Sequence, residues 1–314
     1  MKSLDEIKDI KRRAKKELFS KPGVTGVGVG YKEVSGKETK EPAIRVYVKK
    51  KHSDIPKDEA IPSEIDGALT DVIEDPEVVA YSNPSSRIGG QTSQGMLVGG
   101  AEIGPARTFG NNASNSGTIA CIIGGQNEPM ILSSYHVLAV DNNYINPGNE
   151  LISQPAGTRT NIVAVLEEAV LEGNVDAALA RITDGNRQRV RTGVLDIGQV
   201  NGTGSRDYVG QMVQSRNNRV RKRGKVTGLR SGIITDIDWE GDIQYAYSPV
   251  HHFENQFQIT PLPGTAEFSI PGDSGSLIVD DSNRAIGLLV GGVGHKFSIG
   301  NYIQDIQDYF GINI

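Results

Sequence analysis

The sequence predicts a mainly β protein of sandwich or barrel type, and three observations carry that prediction. Glycine fills 38 of the 314 positions, well above an ordinary share of ~7%, which favours tight turns between short strands. From residue 97 onward the chain is a series of short apolar runs separated by Gly, Asn, Asp and Pro clusters, the rhythm of sandwiches and barrels. Cys121 is the only cysteine, so no intrachain disulfide framework exists and a packed core must hold the fold. The length corresponds to two or three structural units at roughly 100–200 residues each. No apolar run approaches the ~18–20 residues of a membrane span. The start, Met1-Lys2-Ser3-Leu4-Asp5-Glu6, lacks the apolar stretch of a secretory leader, so the expectation is a cytoplasmic protein.

Charge divides the chain. Residues 1–60 carry 16 Lys/Arg against 10 Asp/Glu, and the remainder carries 17 against 28. An acidic body is a poor match for phosphate neutralisation, so neither nucleic acid nor membrane is the expected partner. The basic N-terminal part reads as a separate small α/β unit over residues 1–81, followed by a Ser/Gly/Asn/Gln-rich linker at 82–96 and a larger unit at 97–314.

The first unit opens with a helix over 3–19. Leu4, Ile7, Ile10, Ala14 and Leu18 fall on one face at helical spacing, and Ser3 with Glu6 has the spacing of a capping box. Such a basic amphipathic helix docks either on its own unit, the preferred reading, or on a membrane surface. Two strands follow, one at Val24–Tyr31 and one at Ile44–Lys49, with a turn at Ser35-Gly36-Lys37 and a third short strand near Leu69–Ile73. Gly26, Gly28 and Gly30 lack the following helix that a dinucleotide loop requires. In the larger unit, runs expected to form strands or their equivalents are Thr118–Ile123, Met130–Leu132, Ile162–Leu166, Ala177–Ile182, Tyr208–Val213, Ser276–Val279 and Ala285–Val290. A closing helix places Ile303, Ile306 and Phe310 on one face.

The sharpest chemical signal is Ser269-Ile270-Pro271-Gly272-Asp273-Ser274-Gly275-Ser276. A serine nucleophile needs a tight turn with backbone N–H groups aimed at the developing oxyanion, and Gly272 and Gly275 permit that turn. Alone, this motif is equally an ordinary turn. A base must come from His52, His136, His251, His252 or His295. His136 lies just past the apolar run Met130–Leu132, and Asp176 is a lone acid leading into Ala177–Ala180, where a carboxylate is costly without a partner. His251 and His252 near Glu254 lack a third ligand at metal spacing. Asp141, Asn142, Asn143, Asn146 and Glu150 do not meet a calcium-loop pattern and read as a turn. No metal and no cofactor are expected.

His136, Asp176 and Ser274 stand in the order and spacing of chymotrypsin/trypsin-like serine peptidases, and residues 97–314 resemble that family. Leu97-Val98-Gly99-Gly100, Gly117–Ile123, Ser133–Leu138 and Phe268–Ser276 further resemble the disulfide-free peptidases related to the plant Narrow leaf 1 protein. Lys21–Tyr31 with Pro42–Lys49 resembles the small domain that precedes the peptidase in bacterial members. The resemblance implies two six-stranded antiparallel β-barrels, at 97–200 and 201–314, with a C-terminal helix and a site between the barrels. It implies Ser274 as nucleophile, His136 as general base, Asp176 as its orienter, and the N–H groups of Gly272 and Ser274 as the oxyanion hole. By the same resemblance Phe268 forms the base of the substrate pocket, with Gly291 and Gly292 along its wall. No acid stands at that base, so an apolar or small residue is expected before the scissile bond.

Leu97–Gly100 also resembles the start of mature trypsin-like enzymes. One reading makes Met96–Leu97 a processing bond whose new amino group pairs with Asp273; the other makes the same residues a first strand. The run Arg219–Lys225 is read as the solvated face of a strand opening the second barrel. The expected activity is that of a serine endopeptidase acting on protein or peptide, as a possible homo-oligomer or under a regulatory partner; an idle peptidase fold serving as a protein-binding scaffold is the alternative.

Overall fold

The computed structural model describes residues 2–52, 54–75, 77–81, 83–84, 95–109, 115–125, 128–140, 148–294 and 296–314. His295, the segment 141–147 with its Asp and Asn residues, and most of the 82–96 linker lie outside the described residues. The chain is mostly β. Among the described residues no helix is long and apolar enough to cross a membrane.

Helix α1 (Leu4–Ser20) begins at Ser3, where the capping box forms in full: the Ser3 hydroxyl accepts from Glu6 N–H and the Glu6 carboxylate accepts from Ser3 N–H. Its apolar face is buried against the sheet made by β1 (Val24–Val34) and β2 (Lys37–Val48). Leu4, Ile7, Ile10 and Leu18 are nearly solvent-free, each worth about 1.5–3 kcal/mol of burial. Beyond β2 come β3 (Glu64–Ile65), β4 (Ala68–Glu74, parallel to β2), β5 (Val78–Ala80) and β6 (Asn83–Pro84).

The first barrel is built from β7 (Leu97–Gly99), β8 (Glu102–Pro105), β9 (Asn115–Thr118), β10 (Cys121–Ile123), β11 (Met130–Ser133), the short helix α2 (Tyr135–Leu138), β12 (Leu151–Ser153), β13 (Ile162–Glu172), β14 (Val175–Ile182) and β15 (Val190–Val194). The ladder runs β10-β11-β14-β13-β12-β8-β9. Because β9 and β10 are successive pieces of one stretch, separated by Ile119 and Ala120, this ladder closes on itself as six strands. β7 and β15 form a parallel pair beside it. Cys121 is buried and burial pushes its thiol up to about 12, so it behaves as a small hydrophobe.

After α3 (Arg206–Gln214) the second barrel follows: β16 (Arg219–Gly224), β17 (Gly228–Gln244), β18 (His251–Pro261), β19 (Leu277–Asp280), β20 (Ala285–Val293) and β21 (Phe297–Tyr302), with α4 (Ile303–Phe310) closing the chain. The order β16-β19-β20-β21-β18-β17 is closed by pairing of β16 with β17. Two six-stranded antiparallel barrels with a C-terminal helix are thus present. The run Tyr208–Val213, expected to be extended, is the middle of α3. Ser205 caps it, and Val209, Met212 and Val213 supply one buried face at helical spacing.

The long strand β17 serves two sheets. Its first part pairs with β16 in the barrel, and from Asp236 to Gly241 it pairs with β1. The N-terminal strands therefore continue the second-barrel sheet, and α1 shares one hydrophobic cluster with Val220, Ile234, Phe257 and Ile259. The glycines of β1 are explained by this contact: a Cβ on Gly28 would come 1.7 Å from the Asp236 carboxylate, and one on Gly30 2.2 Å from the Thr235 carbonyl oxygen. Asp236 instead accepts from Val29 N–H and the Tyr47 hydroxyl, both at 2.8 Å.

Candidate active site between the barrels

β11 leads directly into α2, whose first turn carries His136, while β14 carries Asp176 at its start. The His136 Nδ1 and Asp176 Oδ2 atoms are 2.6 Å apart. An ionised carboxylate only accepts, so Nδ1 holds the proton and Nε2 presents its lone pair. Asp176 is fully buried and His136 is 2% exposed. The carboxylate has further support: the Tyr245 hydroxyl donates to the same Oδ2 at 2.8 Å, and the Tyr245 ring meets the imidazole edge-on with centroids 5.5 Å apart. Asp176 N–H in turn donates to Asn301 Oδ1 at 2.8 Å.

Ser274 sits on the loop before β19, with Gly272 and Gly275 both at positive φ (101° and 83°). Such angles are costly for residues with a side chain. The loop is gripped by the first barrel: Thr118 N–H donates to the Ser274 carbonyl at 2.8 Å, and the Thr118 hydroxyl donates to the Gly272 carbonyl at 3.1 Å. The Ser274 hydroxyl donates to the Val290 carbonyl at 2.6 Å, while His136 Nε2 is buried without a hydrogen-bond partner among the described residues.

Asp273 is also fully buried, and its two carboxylate oxygens are saturated. Oδ1 accepts from the N–H groups of Val226 and Thr227, at 2.9 and 3.1 Å. Oδ2 accepts from Lys222 Nζ at 2.8 Å, from the Thr227 hydroxyl at 2.6 Å and from Ile270 N–H at 3.3 Å. Burial pushes the Asp273 carboxyl up, yet the neighbouring Lys222 charge and these donors hold it below its usual range. In the uncut chain Lys222 already supplies the cation for Asp273, so the amino terminus of the Met96–Leu97 processing reading would have to displace it. Leu97 is buried in β7, paired with Val190.

The expectation of a solvated face over Arg219–Lys225 is corrected by the structure, and Lys222 is the residue this most affects. Lys222, Arg223 and Lys225 are instead buried. Arg223 donates to the Gly100 carbonyl at 2.7 Å, and Lys225 Nζ to the Ser116 hydroxyl at 2.5 Å. The available signal was alternation, with Val220, Lys222 and Gly224 sharing one face of a strand. Tyr245 was missed as well, and no local motif marks it.

Gly291 and Gly292 of β20, expected along a substrate-pocket wall, are covered by another part of the chain. A Cβ on Gly292 would come 2.8 Å from the Tyr81 hydroxyl, and one on Gly291 2.1 Å from the Val79 carbonyl oxygen. Tyr81 is 2% exposed. Its hydroxyl faces Ser269 and the Gly294 backbone without a well-formed hydrogen bond. Phe268 belongs to the second-barrel core, with the Lys222 ammonium 5.9 Å from its ring centroid; its neighbour Ser269 is the residue facing the Tyr81 hydroxyl. The other histidines lie elsewhere. His251 Nε2 is 3.2 Å from the Gly173 carbonyl, and His252 Nδ1 is 2.7 Å from Asp242. Glu240, His252 and Glu254 come together, but Lys15 Nζ lies 3.2 Å from Glu240 and 2.8 Å from Glu254, and Lys11 Nζ 3.4 Å from Glu240, so two ammonium groups face the two carboxylates.

No protein-family model and no curated protein matches this sequence. Many solved structures are similar to it, among them the following. A glutamic-acid-specific serine protease with a histidine triad in substrate binding has a TM-score of 0.49 at 17% identity, covering 69% of this chain and 100% of that one. Thermobifida fusca Protease A gives 0.46 at 18% identity, over 69% and 97% of the two chains. Cellulomonas bogoriensis chymotrypsin gives 0.45 at 17% identity, again over 69% and 97%.

Proposed function

We propose that the chain is a serine endopeptidase in which Ser274 is the nucleophile, His136 the general base and Asp176 the residue that orients it. The observation that carries this reading is the buried Nδ1–Asp176 bond of 2.6 Å, which leaves Nε2 unpartnered and ready to accept a proton. Turning the Ser274 side chain from the Val290 carbonyl toward Nε2 completes the relay. The hydroxyl then attacks a substrate carbonyl, His136 takes its proton, and the N–H groups of Gly272 and Ser274 hold the oxyanion. His136 next protonates the leaving amine, and water hydrolyses the acyl-enzyme. Lys222 and Asp273 act by fixing the loop on which the donors stand. We also take the enzyme as a cytoplasmic relative of the Narrow leaf 1-related peptidases, a reading that rests on Leu97–Gly100, Ser133–Leu138 and Phe268–Ser276.

A fluorophosphonate probe tests the proposal: it should label the protein at Ser274, and labelling and casein hydrolysis should both vanish in Ser274→Ala. A specific observation favours the scaffold alternative, because Ser274 is fully buried and its hydroxyl is engaged by Val290. Failure of the probe to label even a variant with an opened pocket, Tyr81→Gly, would decide for the scaffold.

A further inference from the structure

Residues 78–81 and 83–84 lie along the cleft in the manner of a bound peptide. On one side of Ser274, β5 lies antiparallel to β20, with Ala80 opposite Gly291 and Val79 opposite Gly292. At the centre Tyr81 N–H donates to the Val290 carbonyl at 3.3 Å, and the Tyr81 carbonyl accepts from Gly272 N–H at 3.0 Å. On the other side β6 lies antiparallel to β9, with Asn83 opposite Ser116. The Tyr81 ring fills the pocket beside Gly292. Thus the strand before Tyr81 is held by the second barrel and the strand after it by the first. The one carbonyl at the crossing receives a proposed oxyanion donor.

We infer that this segment is the enzyme's own substrate, and that Ser274 cleaves the chain in cis on the carboxyl side of Tyr81. The inference rests on the peptidase reading and adds to it a bond and a side-chain class, an aromatic residue before the scissile bond. Three parts of the geometry converge on that bond. The antiparallel pairing fixes the direction and register of the segment, and among the described residues it is Tyr81 whose carbonyl lies at Gly272. Gly291 and Gly292 are open enough for a strand and a phenol, where any Cβ would collide. The Val290 carbonyl accepts from both Tyr81 N–H and the Ser274 hydroxyl, so nucleophile and target share one acceptor. Pre-positioning of this kind removes most of the entropic cost of bringing reactants together.

The step balances with water as its only co-reactant. Ser274 Oγ bonds to the Tyr81 carbonyl carbon and its proton passes to His136 Nε2. The bond to the nitrogen of Ser82 breaks, and that nitrogen takes the proton. Water, deprotonated by His136, then displaces Ser274 Oγ from the ester, and Oγ takes that proton from His136. The products are a Tyr81 carboxylate and a new amino terminus at Ser82. The cut chain stays assembled, because β1 remains zipped to β17 and α1 remains in the shared core.

Intact mass and N-terminal sequencing of the full chain test this directly. Wild type is expected to yield a fragment ending at Tyr81 and one beginning at Ser82, which co-elute under native conditions and separate in denaturant. Ser274→Ala stays whole, including when tagged and mixed with wild type, as a cut in cis requires. Tyr81→Phe is cut at near the wild-type rate, since the hydroxyl makes no hydrogen bond. Tyr81→Gly is cut slower by on the order of 100-fold. A wild type, or a Tyr81→Gly variant, that labels with fluorophosphonate while wild type keeps the bond after Tyr81 overturns the inference and leaves the peptidase reading standing. Cleavage mapped to another bond overturns it too. A wild type that stays whole, with no labelling of either protein, overturns both.

Discussion

The two barrels hold their halves of the site by different means. The first presents His136 from the helix that follows β11 and Asp176 from β14, the ladder neighbour of β11, and the second barrel braces their contact through Tyr245 and Asn301. The second presents Ser274 on a loop that no single element secures: Asp273 is held by Lys222 and Thr227, Gly272 and Ser274 by Thr118, and the pocket by a segment from before residue 82. The proposed base rests on one direct contact within the first barrel, braced by two residues of the second, whereas the proposed nucleophile is ordered only when three distant parts of the chain meet. Damage should therefore differ in kind, with loss of chemistry on the first side and loss of structure on the second.

The largest expected effect lies on the first side. Asp176→Asn keeps the volume but removes the charge and the tautomer control, so peptide hydrolysis should fall about 10,000-fold with little change in the unfolding midpoint. An activity loss below tenfold would mean that the carboxylate only packs. On the second side Lys222→Met leaves Asp273 charged and buried without its cation. Urea unfolding should show a loss of about 3–5 kcal/mol, and adding Asp273→Leu should recover most of it. Tyr245→Phe removes one hydrogen bond to Asp176 and should cost roughly tenfold in kcat, since bonds to charged groups are worth about 1.5–3 kcal/mol. A larger change in stability than in kcat would make Tyr245 a packing residue.

The smallest effect concerns pH. Asp75, just before the cleft segment, is 2% exposed, and burial raises its carboxyl to about 7 against the pull of Lys296 and Arg45. The folded state therefore holds this proton more tightly than the unfolded chain, whose carboxyl titrates near 3.8. Stability from the neutral group is present below 3.8 and declines as pH rises toward about 7, with no further change above. Urea midpoints between pH 5 and 8 should fall in wild type and flatten in Asp75→Asn. Identical slopes for the two proteins would mean that Asp75 does not contribute.

Features encoded within a few residues were legible in the sequence. The cap and face of α1, the turn around Ser35 and Gly36, and the apolar runs of β11, β14 and β20 all follow from local spacing. Order and motif single out His136, Asp176 and Ser274 as candidates. Tyr208–Val213 misled because a short apolar run fits strand and helix alike, and only burial of Val209, Met212 and Val213 on one side separates them. Lys222 misled because a lysine in a basic run is ordinarily solvated, and its burial is decided by a carboxylate 51 residues away.

The sequence by itself determined the β-rich architecture, the reliance on packing without disulfides, and the identity of the candidate catalytic side chains. These depend on residue type and short-range period, which a linear chain displays. Only the tertiary structure decided that Asp273 is saturated by Lys222, that Tyr245 supports Asp176, and that Tyr81 lies in the cleft. Those outcomes depend on which backbone groups remain unpaired once the barrels close, and such long-range complementarity has no local signature. The glycines, first a sign of turns, include Gly28, Gly30, Gly291 and Gly292, whose missing side chains let one strand lie flush against another.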